Sequence, residues 1–279
     1  HRDLPWRTLP TPYRVWVSEI MLQQTRVEAV RGYFARWMEA LPDIPALAAA
    51  DEAVYTKLWE GLGYYSRVRN LHRAAVLLCA QYGGELPADC DKLLSLPGVG
   101  EYTAGAVASI AFGLPVPAVD GNVLRVAARL GSDFTPITDT KFKKQTRERF
   151  AALMPSDRPG DLNQALMELG ATVCVPNGAP HCGDCPIQHL CEGFHRGNAA
   201  VLPLRAAKKA RRIENRTVLL VRCGEPVGLR QRPKKGLLAG LWELPSLDGH
   251  LTPDELRAAL TEMGWSVRKL LSLRPAKHI

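Results

Sequence analysis

Leu96-Pro97-Gly98-Val99-Gly100, followed by Tyr102-Thr103-Ala104, lies between two stretches of helical spacing. Two glycines so close together allow a tight turn whose backbone N–H groups can approach an anion, and the next helix adds its positive N-terminal end. A Gly-rich turn alone is often only a connector. With a helix on each side it forms a helix–hairpin–helix, which holds a DNA phosphate through Pro97, Gly98, Val99 and Gly100 without reading the bases.

Outward from this turn the pattern stays helical for about two hundred residues. Thr11-Pro12 is a cap followed by proline at the first helical position. Val27, Val30, Phe34, Trp37, Met38 and Leu41 recur at helical spacing, as do Val123, Val126, Ala127 and Leu130, and again Leu162, Ala165, Leu166 and Leu169. Breaks fall at Leu41-Pro42, Tyr82-Gly83-Gly84 and Gly113-Leu114-Pro115. Past Cys191 the character changes. Pro203–Arg216 carries six basic residues (Arg205, Lys208, Lys209, Arg211, Arg212, Arg216) against one acid, Glu214; a solvated linker explains such a run more simply than a phosphate contact does. Thr217–Val221 then reads as a strand, Pro253–Met263 as a helix and Ser266–Leu273 as a further strand. The expected division is a helical domain over 1–200, a basic linker over 201–216 and a small α+β domain over 217–279 that the chain leaves incomplete.

The 279 residues are enough for two domains, and 46% hydrophobic against 23% charged residues describes a globule with a real core. Lys and Arg outnumber Asp and Glu by 36 to 28, a net charge of +8, which favours polyanionic partners. No apolar run approaches the roughly 18 residues of a membrane span, and no secretory leader precedes His1-Arg2. The expectation is an intracellular protein whose ends are trimmed.

Of seven cysteines, Cys174, Cys182, Cys185 and Cys191 crowd into one short stretch, while Cys79, Cys90 and Cys223 are scattered. That distribution indicates metal ligation in a reducing compartment rather than a disulfide framework. Four thiolates in one loop suit zinc or a cubane iron–sulfur cluster. Zinc more often takes two paired CxxC knuckles, a symmetry lacking here.

Two carboxylates complete the set. Glu19 sits in Trp16-Val17-Ser18-Glu19-Ile20-Met21-Leu22, where desolvation should raise its pKa and keep it protonated. Asp120 sits in Val119-Asp120-Gly121-Asn122-Val123, ahead of a helix whose positive end favours the ionised form. Such a pair, pushed toward opposite protonation states, is what glycosidic cleavage requires: one group protonates the leaving base, the other stabilises the cationic sugar. Alone, a helical Glu and an N-capping Asp serve structure more often than chemistry; the neighbouring motifs reverse that weighting.

Together these segments resemble the helix–hairpin–helix DNA glycosylase superfamily, in particular its adenine DNA glycosylase (MutY) branch. The resemblance covers essentially the whole chain: Leu4–Arg7, Val17–Thr25 (VSEIMLQQT), Trp59–Arg69 (WEGLGYYSRVR), the hairpin, Val119–Val123, the cysteine loop and Lys235–Pro245 (KGLLAGLWELP). It implies a mainly α fold with a [4Fe–4S] loop held by Cys174, Cys182, Cys185 and Cys191, then a Nudix-like α+β domain. It implies removal of adenine mispaired with 8-oxoguanine or guanine in double-stranded DNA, by a monomer acting where DNA is kept. Glu19 matches the acid that protonates adenine N7, Asp120 the carboxylate that stabilises the oxocarbenium ion and Asn122 the residue that orients it. Tyr102 stands where the related endonuclease III enzymes carry a Schiff-base lysine, so hydrolysis without strand cleavage is implied. Arg2, Trp6 and Leu22 match the pocket for the extruded adenine; Gln24, Thr25, Leu62 and Tyr64 match the group that wedges into the duplex and contacts 8-oxoguanine.

Two departures stand out. Seven residues, Val175–His181, separate the first two cluster cysteines. That is one more than the family's usual gap, which places His181 as a small rival ligand. In the C-terminal segment the chain ends near where the family's 8-oxoguanine-checking loop begins, and no acidic box for magnesium is present, which excludes a nucleotide hydrolase. The competing readings are a bifunctional pyrimidine-damage glycosylase/lyase on the same fold and a non-catalytic DNA-binding module with structural zinc.

Overall fold

The computed structural model describes residues 2–206, 213–233, 236, 238 and 240–276, and the chain divides into two compact units, His1–Ala207 and Lys208–Ile279. Lys208, Lys209, Arg211, Arg212 and Lys235, read above as part of the basic run and of a family motif, lie outside the described residues.

In the first unit the chain runs through α1 (Pro5–Thr8), α2 (Pro12–Leu22), α3 (Val27–Ala40), α4 (Ile44–Ala49), α5 (Glu52–Leu58), α6 (Ser66–Tyr82) and α7 (Cys90–Leu94). After the hairpin come α8 (Glu101–Phe112), α9 (Gly121–Leu130), α10 (Thr140–Ala152), α11 (Pro159–Thr172) and, beyond two 3₁₀ turns, α12 (Glu192–His195). Local chemistry sets the boundaries. Thr11 caps α2 through its side chain, and Gly83 and Gly113 end α6 and α8 in the left-handed conformation. Trp16, Phe34, Trp37 and Trp59 are almost wholly buried, with Trp37 and Trp59 edge-to-face at 5.7 Å. The Trp37 indole N–H donates to Tyr13 Oη, and Tyr13 donates to the Leu41 carbonyl, so these two polar groups of the aromatic core are satisfied, whereas the buried Trp16 indole N–H has no partner among the described residues.

Helix α8 is the centre of the unit. Its residues Thr103–Ser109 are small and all buried, so α2 packs on one side of it and α11 on another. A smaller apolar cluster, Val123, Val126 and Leu166, joins α9 to α11 and reaches Cys174. The helix that follows the hairpin therefore lies between the helix bearing Glu19 and the helices leading to the cysteine loop. Among the described residues no helix is long and apolar enough to cross a membrane.

The second unit differs from its sequence reading. The expected strand Thr217–Val221 is broken: β1 (Arg216–Val218) pairs antiparallel with β6 (Ser246–Asp248), and β2 (Val221–Arg222) pairs with β3 (Val227–Gly228). The run changes partners at Leu219–Leu220. β4 (Arg230–Gln231) pairs with β5 (Trp242–Glu243), and α13 (Pro253–Glu262) follows, closed by a Thr252–Glu255 capping box. Ser266–Leu273 forms no strand: Leu271 and Leu273 are exposed, 69% and 72%, and alternation alone does not pair a segment with a neighbouring strand.

Candidate active site

Glu19 lies in the buried second half of α2, 6% exposed. Burial raises its carboxyl from the ordinary 4.5 to about 7, a hydrogen bond from Tyr102 opposes the rise, and the nearby charge of Asp120 adds to it. Tyr102, one residue into α8, donates its Oη–H to Glu19 Oε2 and lies 3.7 Å from Met167 Sδ on α11. Burial, followed by the charges of Glu19 and Asp120, holds the Tyr102 phenol well above its usual range. Glu19, Tyr102 and Asp120 thus share one electrostatic environment although three different helices carry them.

Asp120 is the N-cap of α9. Its Oδ1 accepts from Val123 N at 2.8 Å and its Oδ2 from Asn122 Nδ2 at 2.7 Å. The helix end does favour the ionised form, through the bond from Val123 N, but burial outweighs it. Burial raises the Asp120 carboxyl above its ordinary value, and the bonds from Val123 and Asn122 and the charge of Arg125 offset that rise only in part. Both carboxylates are therefore pushed upward. The site separates them by degree, because Asp120 has several donors to its anionic form and Glu19 has one.

Arg125 escaped the sequence reading. From α9 it donates to Asn122 Oδ1 (2.9 Å), the Gly170 carbonyl (2.6 Å) and the Cys174 carbonyl (2.8 Å). It holds the residue that orients Asp120 and, at the same time, the first residue of the cysteine loop. Gly170 on α11 comes so close that a Cβ there would lie 2.6 Å from Asn122 Cβ. The only signal in the sequence was an arginine at i+3 from Asn122 on an apolar helix face.

The residues matched to an adenine pocket are dispersed in role. Arg2 forms a forked ion pair with Glu168, Nε–Oε1 2.6 Å, and Arg7 reaches the same carboxylate at 2.9 Å. Burial would raise Glu168, but Arg2 and Arg7 hold it below the usual carboxylate range. Trp6 is buried edge-on against Phe34, and Leu22 packs half-buried against the core. In the wedge group, Gln24 and Tyr64 are exposed, Thr25 is half-buried and both Gln24 and Tyr64 have left-handed backbones (φ 60° and 47°). Leu62 is the most buried of the four, 7% exposed, and packs with the core.

The hairpin has the expected form. Gly98 is left-handed (φ 77°) and exposed, Val99 N bonds to Leu96 O at 3.1 Å, and Gly100 caps α8. A Cβ on Gly98 would lie 2.7 Å from Asn70 Cβ, so both conformation and space call for glycine.

Cys174, Cys182, Cys185 and Cys191 border one cavity together with Leu169, Ile187 and His181. Among the described residues no three His, Cys, Asp or Glu side chains converge on a point as single-ion ligands. The four thiols line one space, a donor set whose chemistry suits a metal group. Burial and then the neighbouring Cys191, Cys174 and Cys185 raise the Cys182 thiol. The buried Arg129 donates to Cys174 Sγ at 3.2 Å and to the Val175 carbonyl at 3.0 Å, a positive charge suited to a set of thiolates.

Residues 17–154 match the HhH-GPD superfamily of base excision DNA repair proteins. Adenine DNA glycosylase of Mycolicibacterium smegmatis is 39% identical over 79% of this chain and 76% of its own length. The chain belongs to the adenine DNA glycosylase family. Its mouse member is 40% identical over 91% of this chain and 59% of its own length, and the human member 36% over 100% and 60%. This chain spans about three fifths of the length of those two mammalian family members. Among solved structures, the adenine glycosylase family chain is similar to a thermostable thymine-DNA glycosylase, with TM-score 0.62 and 28% identity over 70% of this chain and 89% of that one. It is similar also to endonuclease III in a non-covalent DNA complex, with TM-score 0.58 and 28% identity over 67% and 86%. The mainly α, helix–hairpin–helix fold is common to all of them.

Proposed function

We propose that this chain is a monofunctional adenine DNA glycosylase, which removes adenine mispaired with 8-oxoguanine or guanine in double-stranded DNA inside the cell. The observation that carries the reading is the meeting of Glu19, Tyr102 and Asp120, with a phenol where a lyase on this fold would carry an amine.

In this reading Pro97–Gly100 hold the backbone and the adenine is turned out of the stack toward Arg2, Trp6 and Leu22. Near neutral pH a large fraction of Glu19 keeps its proton, because its carboxyl sits at about 7. Tyr102 occupies Oε2, so the other oxygen delivers the proton to adenine N7. The C1′–N9 bond breaks with its electron pair leaving on the base. Asp120, aimed by Asn122, stabilises the cationic sugar until water adds at C1′ and gives up a proton. With no amine at residue 102, no Schiff base forms and the strand stays whole.

Cys174, Cys182, Cys185 and Cys191 would hold a [4Fe–4S] cluster, which when bound supplies a folded, cross-linked loop beside α9. Residues 1–200 form the catalytic domain and 217–279 a Nudix-like 8-oxoguanine recognition domain, joined by the basic segment 201–216, and the protein works as a monomer.

Incubation with a duplex containing adenine opposite 8-oxoguanine tests the activity. Strands that remain intact and break only after alkali are expected; direct nicking with a borohydride-trappable adduct would overturn the monofunctional reading.

A further inference from the structure

Arg67, in the first turn of α6, donates to five backbone carbonyls. Nη1 reaches Ile20 O (2.9 Å), Met21 O (3.2 Å) and Gln23 O (2.5 Å), and Nη2 reaches Leu62 O (2.9 Å) and Gly63 O (3.2 Å). The first three are carbonyls that the end of α2 leaves without intrahelical donors; the other two belong to the loop before Tyr64. The guanidinium also lies 5.2 Å from the centre of the Trp59 ring and 5.6 Å from that of Tyr64. Its Nε has no protein acceptor, and Arg67 and the buried Trp16 both line a cavity of about 110 Å³.

The two loops so joined share a second property. Gln24, next to Gln23, and Tyr64, next to Gly63, are non-glycine residues in the left-handed region (φ 60° and 47°). Such conformations persist only where the surroundings hold them. In each loop an Arg67 contact falls on the carbonyl that immediately precedes the left-handed residue. A planar guanidinium can span both loops at once; a lysine ammonium, with three donors at one point, cannot.

We propose that Arg67 is a positioning residue that fixes the spacing between loops 23–25 and 62–64, and through it sets which base is accepted opposite the adenine. The inference rests on the functional reading above and on the family resemblance, which implies that Gln24, Thr25 and Tyr64 contact the base opposite the adenine.

Two variants, Arg67→Lys and Arg67→Met, test it on the full chain against wild type. In Arg67→Lys the preference for adenine opposite 8-oxoguanine over adenine opposite guanine falls by about tenfold, while the single-turnover rate on the 8-oxoguanine duplex at saturating enzyme stays within about threefold. Hydrogen exchange of the Thr25 and Leu62 amides, bonded to Leu22 O and Trp59 O, speeds up, and that of the α8 amides does not. Arg67→Met shows the same pattern, more strongly. Unchanged preference, or rate and preference lost together with faster exchange throughout α8, would overturn the proposal. If wild type excises no adenine, the functional reading has failed, and the specificity claim with it; exchange at Thr25 and Leu62 then decides the clasp alone, and unchanged exchange refutes it.

Discussion

Tyr102 Oη donates to Glu19 Oε2, so the helix that follows the hairpin sets the proton affinity of a carboxyl on α2. The bond favours the ionised carboxylate and holds the Glu19 pKa below what burial alone would give. Tyr102→Phe removes it. The expected result is a pH–rate profile whose falling limb moves to higher pH, measured by single-turnover excision between pH 6 and 9, roughly the range in which a carboxyl near 7 and its upward shift can be followed. A limb that stays put or moves lower would show that the hydroxyl does not act on Glu19.

Glu19→Gln removes the acid. Excision should fall by about 10²–10⁴-fold, the usual contribution of a positioned acid, while DNA affinity stays near wild type. Equal loss of both would make Glu19 a structural residue.

The same substitution tests the burial cost. The folded-state value of Glu19, about 7, lies above its ordinary 4.5, so the folded protein binds this proton more tightly than the unfolded chain. The group's stabilisation is full below about 4.5 and is lost as pH rises through about 7, on the order of 3 kcal/mol in all. Glu19→Gln should therefore flatten the fall in stability between those values and be the more stable protein at higher pH, as read by urea denaturation across pH. A wild-type curve with no slope there would contradict the shift.

Gly98→Ala adds a methyl that would meet Asn70 Cβ at 2.7 Å on a left-handed backbone. A loss of about 1–2 kcal/mol in stability is expected from the conformation alone. DNA affinity should fall without any change in the slope of log K against log salt, because no cationic side chain is removed. A shallower slope would mean that the hairpin acts through neighbouring Lys or Arg instead.

Cys185→Ala should lower iron and sulfide content and visible absorbance, and lower the melting temperature by several degrees, roughly the effect of losing 1–2 kcal/mol or more in a domain of this size. Far-UV circular dichroism should stay helical at low temperature, since the Trp16–Trp37–Trp59 core lies apart from the cysteine loop. Unchanged iron content would remove Cys185 from the ligand set.

The hairpin, Glu19, Asp120 and the four cysteines were legible because each depends on residue type at short spacing. The surrounding support was not. Arg67, Arg125 and Arg129 act largely on backbone carbonyls, many of them from distant segments, and a carbonyl has no signature in sequence. The upward push on Asp120 was not legible because the helix end could be read locally whereas burial could not. Leu62 and Trp6 illustrate the same limit: a motif gives position along the chain, and only packing decides which side chain turns inward. In the second unit, Ser266–Leu273 has the alternation of a strand, yet pairing needs a neighbour that periodicity cannot supply.

The contact between Gly170 and Asn122 carries one more consequence. A single added carbon at residue 170, on a helix that holds neither carboxylate, would press on Asn122 and disturb its hydrogen bond to Asp120, the group proposed to stabilise the sugar. Every reacting group would survive such a change, and the enzyme would still be detuned. Tolerance to variation in this fold is thus set as much by bare backbone on α11 as by the groups that touch the substrate.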